Sequence, residues 1–158
     1  DFVKRKEVAM KSYAIKLIEL LERDKEKIAK QWHHYVIKNP RTKSIFDYAD
    51  SDMIDIASSI YGSFREMYLS DNLKETATEI FGKYAEALYK KGVPPEEAVY
   101  ALILLRRHIW VYSEFRDVFA SFLKQQEKEN TLIRTMLIFD YAFYAIVEKY
   151  EALSKGEK

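Results

Sequence analysis

Apolar residues recur every three or four positions along most of the chain, the spacing of amphipathic helices. The pattern predicts six helices. The first two span roughly Val3–Glu22 and Asp24–Lys38, either as separate helices or as one helix bent near Arg23. Asn39–Pro40 ends this unit, because the residue before a proline avoids helical backbone angles. A loop is predicted from Arg41 to Asp50.

Polar and chain-breaking residues mark the next boundaries. The third predicted helix begins near Ser51 or Asp52 and ends at Ser70–Asn72, which also caps the fourth helix, Leu73–Lys91. Gly92 is a natural helix terminator. Val93–Glu97 then opens the fifth helix, with a proline in the first turn and acidic residues near the positive end of the helix dipole.

The fifth helix is predicted to extend past Trp110 to about Lys124. A polar break over Gln125–Asn130 separates it from the sixth helix, which runs from Thr131 to about Leu153. The pattern therefore predicts one all-α domain over residues 1–158, with residues 154–158 as a linker.

Composition narrows the functional classes. The chain has four glycines, three prolines and no cysteine, which excludes disulfides, thiol nucleophiles and cysteine-bound zinc. No glycine-rich phosphate-binding or dinucleotide-binding motif occurs. A net charge of +1 offers no field to attract nucleic acid. The longest uncharged apolar run, Ala98–Leu105, is far shorter than a membrane span. We expect a cytoplasmic protein.

The last two predicted helices are apolar on more than one face. The sixth carries a seam with steps of four and three residues, the spacing of coiled coils; its residues are Leu132, Met136, Phe139, Phe143, Ile146 and Tyr150. A second stripe, one residue further on, holds Ile133, Leu137, Asp140, Tyr144 and Val147. The fifth helix shows a similar excess of apolar positions, from Ala98 and Val99 to Trp110 and Tyr112.

Two interpretations of these helices compete. In one, both helices are central in a monomeric core. In the other, one stripe packs in the core and the other pairs with a second copy, which gives a four-helix bundle between subunits. We favour the homodimer, with the seam Leu132–Tyr150 as its interface, because a chain of 158 residues has limited interior.

Few residues suggest chemistry. His33 and His34 are adjacent and point about 100° apart on a helix, so they do not bind one metal as a pair. A polar cluster of Arg106, Arg107, His108 and Asp140 interrupts two apolar helices. The favoured interpretation is a structural ion pair within the cluster, such as Asp140 with an arginine, while the other groups reach solvent. The alternative is a buried ionic cluster that acts as a switch or contacts a ligand.

The acidic residues Asp47, Asp50, Asp52 and Asp55 lack the pattern of a calcium loop and are interpreted as helix caps. No catalytic constellation can be nominated from the sequence. We therefore predict no enzyme activity, no metal and no cofactor.

The segment Lys91–Ala98 resembles a junction in bacterial sensor globins, where His-x-x-Ile-Gly-Leu-Pro links the haem-binding helix to the next. Gly92-Val93-Pro94 matches the Gly-Leu-Pro part. Leu88 occupies the slot of the haem-binding histidine, and leucine does not ligate iron. A haem-binding gas sensor, with His108 or His34 as the ligand, is kept as an alternative.

Three segments resemble, in order and spacing, the N-terminal non-haem globin-like domain of RsbR-type stressosome proteins and related sensor-kinase regions. They are Leu17–Trp32, Gly92–Arg107 and Ile138–Glu151. The resemblance implies a stress-response sensor domain that dimerises through its last two helices. It also implies that the final helix relays a signal into a C-terminal output domain or to a signalling partner.

An input domain of this kind could take a small apolar ligand. The candidate pocket lies between the fourth and fifth predicted helices; its residues are Phe81, Tyr84, Leu88, Tyr100 and Leu104. The alternative is that these side chains simply fill the core. A further alternative is a helical interaction scaffold that takes no ligand.

Overall fold

The computed structural model describes residues 2–45, 48, 50–112 and 125–156, with side chains from residue 14 in the first helix and from residue 129 in the last. The described residues form helices and no strand, as the all-α prediction requires. The helices are α1 (Phe2–Val36), α2 (Asp50–Gly62), α3 (Phe64–Leu69), α4 (Leu73–Lys90), α5 (Pro95–Val111) and α6 (Gln125–Ser154), with a 3-10 segment at Pro40–Ile45.

The boundaries differ from the prediction at several places. The first two predicted helices are one helix, α1. The third is divided at Ser63, whose hydroxyl donates to the Ser59 carbonyl at 2.7 Å and draws that carbonyl away from a regular helical bond. Part of the predicted loop after Pro40 forms the 3-10 segment, in which the buried Thr42 hydroxyl donates to the Val36 carbonyl at 2.6 Å.

The last two helices also begin or end elsewhere than predicted. α5 ends at Val111, because Tyr112 turns to extended backbone angles. The remainder of the predicted extension to Lys124 lies outside the described residues. The predicted polar break at Gln125–Asn130 is helical and forms the start of α6. Glutamine, glutamate and lysine favour helices despite their polarity, so polarity alone was a poor indicator of a break.

The junction between α4 and α5 follows the sequence closely. Gly92 has a φ of 77°, the left-handed conformation that ends many helices. The Gly92 amide donates to the Tyr89 carbonyl and the Val93 amide to the Leu88 carbonyl. This pair of bonds is the Schellman motif, and the buried side chains of Val93 and Leu88 supply its usual apolar contact. Pro95 opens α5 in the position predicted.

α5 is the central helix of the fold. Three aromatic side chains from three other helices donate hydrogen bonds to its backbone carbonyls: Trp32 of α1 to Ala101 at 2.9 Å, Tyr61 of α2 to Leu105 at 2.8 Å, and Tyr84 of α4 to Ala98 at 2.8 Å. All three aromatic residues are buried. The bonds therefore fix the positions of α1, α2 and α4 along α5.

α6 closes the other side of the core. Its Phe139 packs between Phe64 and Phe81, with ring centroids 6.0 and 6.3 Å away. Its Tyr150 donates to the Val93 carbonyl at 2.9 Å and stacks edge-on with Tyr89. These contacts place α6 parallel to α4 and leave its opposite face uncovered by the described helices.

The glycine at the α4–α5 junction gives a direct test of this geometry. Gly92→Ala forces a Cβ into the left-handed region and should destabilise the protein by roughly 1–2 kcal/mol. Gly82→Ala is the matched control, because Gly82 lies inside α4 and an added Cβ meets no atom within 4 Å. That control should stabilise the protein by about 0.5–1 kcal/mol. Urea unfolding measures both, and equal effects would contradict the assigned conformation of Gly92.

Candidate functional site

The exposed face of α6 is the strongest candidate for an interaction site. Ile133, Met136, Tyr144 and Val147 are between 55% and 62% exposed. Leu137 lies on the same side of the helix and is 36% exposed. Single exposed apolar residues are common, whereas a contiguous set on one helix is a candidate contact surface.

These residues follow the second stripe identified in the sequence. Ile133, Leu137, Asp140, Tyr144 and Val147 recur at intervals of four and three residues. With Met136 beside them, we call this set the α6 stripe. It extends about 21 Å along the helix at 1.5 Å per residue. Asp140 is exposed at its midpoint. The stripe thus has the length and spacing needed to pair with another helix.

The predicted dimer seam requires correction. Phe139, Ile146 and Tyr150 are buried within their own protomer, and Phe143 is half-buried under Arg106. The exposed members are its first two residues, Leu132 and Met136. The seam spans about 80° of the helix circumference and lies at the edge of the arc that packs on α4 and α5. Spacing alone did not indicate which of two adjacent stripes faces the core.

The predicted polar cluster is not brought together. The Arg106 guanidinium lies 5.4 Å from the centroid of the Phe143 ring, Arg107 is exposed, and His108 is buried. Asp140 is exposed on the α6 stripe and forms no ion pair in the part of the chain that the structure describes. The ion pair expected for Asp140 is therefore absent from the described contacts.

His108 is held neutral inside the protein. Its Nδ1 donates to the Leu104 carbonyl at 2.9 Å, while its Nε2 is buried without a partner among the described residues. Burial lowers the pKa of His108 below its ordinary value, and the positive charge of Arg107 lowers this pKa further, against the opposing effect of the Leu104 carbonyl.

The predicted ligand pocket is filled. Phe81, Tyr84, Leu88 and Leu104 are buried core residues. Tyr100 is partly buried and packs against the core, and its hydroxyl is 3.5 Å from an Arg41 guanidinium nitrogen. The alternative interpretation, in which these side chains fill the core, therefore describes four of the five residues fully and Tyr100 in part. Among the described residues, a groove lies between α2 and α4.

The histidines do not assemble a haem site in this groove. None of the three lines it. His33 Nε2 is 3.4 Å from Asp50 Oδ1, and His34 Nε2 is 2.9 Å from Lys38 Nζ on the surface. Leu88, in the slot that a haem-binding histidine takes in sensor globins, is buried in the core.

The acidic residues near the start of α2 have structural contacts. Asp50 and Asp52 lie in the first turn of α2, where carboxylates favour the helix dipole, and Asp52 pairs with Lys91 at 3.0 Å. Asp55 lies further along α2, and Asp47 is outside the described residues. Over the described ranges, no three histidine or acidic side chains are grouped to hold a metal.

No family model, curated protein or solved structure matches this chain. The likeness to RsbR-type sensor domains therefore rests on the sequence segments described above. Among the described helices, none is long and apolar enough to cross a membrane.

Two aspartates, one exposed and one buried, allow their structural environments to be tested by mutation. Asp140→Ala should change the free energy of unfolding by less than about 0.5 kcal/mol, because Asp140 is exposed and unpaired among the described residues. Asp24 is buried and accepts a hydrogen bond from the Tyr112 hydroxyl at 2.8 Å. Asp24→Ala should therefore cost roughly 1–3 kcal/mol. Thermal and urea unfolding distinguish the two, and a large loss for Asp140→Ala would show that Asp140 is paired after all.

Proposed function

We propose that this chain is the signal-input domain of a cytoplasmic signalling protein. The domain is globin-like without haem, pairs with a second copy through the α6 stripe, and relays a signal through the C-terminal end of α6. An output domain or a partner protein would receive the signal. The α6 stripe is the observation that carries the proposal, and the resemblance to RsbR-type sensor domains agrees with it.

The stripe favours association because it leaves apolar area in water. Ile133, Met136, Tyr144 and Val147 are each more than half exposed, and burying apolar surface yields about 25 cal/mol per Å². No charged residue other than Asp140 interrupts the stripe between Ile133 and Val147. The low number of charged residues is typical of interfaces, although the one charge lies at the midpoint of the stripe.

A second copy of the chain is the partner that the spacing favours. Steps of four and three residues let two identical helices interlock along their length. Two-fold pairing places the same patch on both subunits. Asp140 lies midway between Ile133 and Val147, so a two-fold pairing brings the two Asp140 side chains together. Because like charges repel, this contact weakens the dimer.

α6 also connects such an interface to the rest of the domain. It is a helix of 30 residues, and the segment after the stripe is attached to the α4–α5 junction through the bond from Tyr150 to the Val93 carbonyl. A change in packing at that junction would therefore move the C-terminal end of α6 relative to its partner. This mechanical link supports α6 as the output element.

Self-association is tested by sedimentation equilibrium at micromolar concentration. The expected mass is twice the 18.7 kDa of one chain. Tyr144→Glu should weaken the dimer at least tenfold, because it buries an unpaired charge. Asp140→Asn should tighten it severalfold by removing the central repulsion. Tyr35→Glu is the matched control, since Tyr35 is a half-exposed tyrosine on α1 away from the stripe.

The same measurements show whether the α6 stripe pairs with a second copy of the chain or with a different partner. A wild-type chain that stays monomeric at 100 micromolar contradicts the dimer. So does equal weakening by Tyr144→Glu and Tyr35→Glu. A dimer that Asp140→Asn weakens would mean that a cation faces Asp140, which contradicts two-fold pairing about that residue.

A further inference from the structure

The groove between α2 and α4 is a second candidate site, independent of the proposed function. It has a volume of about 390 Å³ and is lined along its floor by Ile56, Ile60 and Ile80 and by the side chain of Tyr84. The Tyr84 hydroxyl is turned into the core, where it donates to the Ala98 carbonyl. The floor is therefore apolar, although the groove opens to solvent.

The sides of this groove carry an excess of negative charge. Asp55, Glu66 and Glu79 line it together with one cation, Lys83. Lys83 Nζ is 3.4 Å from a Glu79 carboxylate oxygen, so these two charges offset each other. Asp55 and Glu66 form no ion pair with any residue that the structure describes. Two carboxylates thus face the groove without a cation.

The two carboxylates come from different helices: Asp55 lies in α2 and Glu66 lies in α3, on either side of the division at Ser63. No group of three metal-ligating side chains occurs in the described part of the chain. The lining suits a ligand with positive charges at separate points and methylene segments between them.

We propose that this groove binds an aliphatic polyamine. The methylene segments would cover the isoleucines of the floor, and the terminal ammonium groups would pair with Asp55 and Glu66. A volume of about 390 Å³ lies at the small end of the range for small-molecule sites. A partner helix, with a diameter of about 10 Å, needs a longer apolar trough. Size and charge together favour a small, extended cation.

Isothermal titration calorimetry with spermine at low salt tests this proposal. The double variant Asp55→Asn/Glu66→Gln should weaken spermine binding roughly three- to twentyfold, the range expected for two partly exposed ion pairs. Glu26→Gln/Glu148→Gln is the matched control, because it removes the same charge from exposed positions outside the groove. Lys83→Gln should tighten binding, since it removes the cation from the groove wall.

Two other probes separate the contribution of the ligand's charge from that of its methylene segments. Mg²⁺ carries charge without methylenes, and 1,8-octanediol carries methylenes without charge; both should bind at least tenfold more weakly than spermine. Backbone amide shifts on adding spermine should concentrate at Ser59, Ser63 and Lys83. Three results would show non-specific attraction and overturn the proposal. They are an equal loss of spermine affinity in the two double variants, spermine binding no tighter than Mg²⁺ binding, and amide shifts spread over the whole surface. Absence of spermine binding to the wild-type chain would overturn it outright.

Discussion

The backbone of α5 is the constraint on which the rest of the structure depends. Its carbonyls at Ala98, Ala101 and Leu105 lie on one face, at intervals of three and four residues, and each accepts a side-chain hydrogen bond as well as the regular helical one. Small residues at positions 98 and 101 let the aromatic rings approach the backbone. The donors come from α4, α1 and α2, so three helices are positioned by one.

These hydrogen bonds restrict the positions of the three helices because they are buried. Leaving a buried donor without its acceptor costs about 1–3 kcal/mol, so sliding any of the three helices by one turn would forfeit such a bond. Burial also raises the pKa of Tyr61 and of Tyr84 well above the ordinary value, which keeps both hydroxyls protonated as donors. α6 packs through Phe139, is attached near its start by bonds from Arg134 to the Met67 and Ser70 carbonyls, and is attached near its end through Tyr150. Its opposite face carries the exposed α6 stripe.

Local chemistry made some elements predictable. Gly92 and Pro95 set the α4–α5 junction through backbone angles that depend on few neighbours, and the structure has the junction where the sequence placed it. Boundaries set by weaker preferences were not predictable. Residues 125–130 are polar yet helical, and Ser63 divides a helix whose apolar spacing continues across it.

The candidate site was predictable only in part. The spacing of Ile133, Tyr144 and Val147 identified the α6 stripe, but its exposure depends on which neighbours cover the adjacent seam, and periodicity carries no such information. The hydrogen bonds from Trp32, Tyr61 and Tyr84 had no sequence pattern at all, because their acceptors are backbone carbonyls. The α2–α4 groove combines residues from separate helices, so no local sequence motif predicted it.

Native-state hydrogen exchange, followed amide by amide, tests the central role of α5 most directly. The amides of Leu102, Leu105 and Ile109 donate to the three carbonyls that also accept the aromatic bonds. They should exchange only through global unfolding, with an opening free energy equal to that from urea denaturation. The account would be contradicted if the opening free energy of these α5 amides were smaller than that of the Ala85 and Leu88 amides in α4. In that case α5 would not be the helix that holds the others in place.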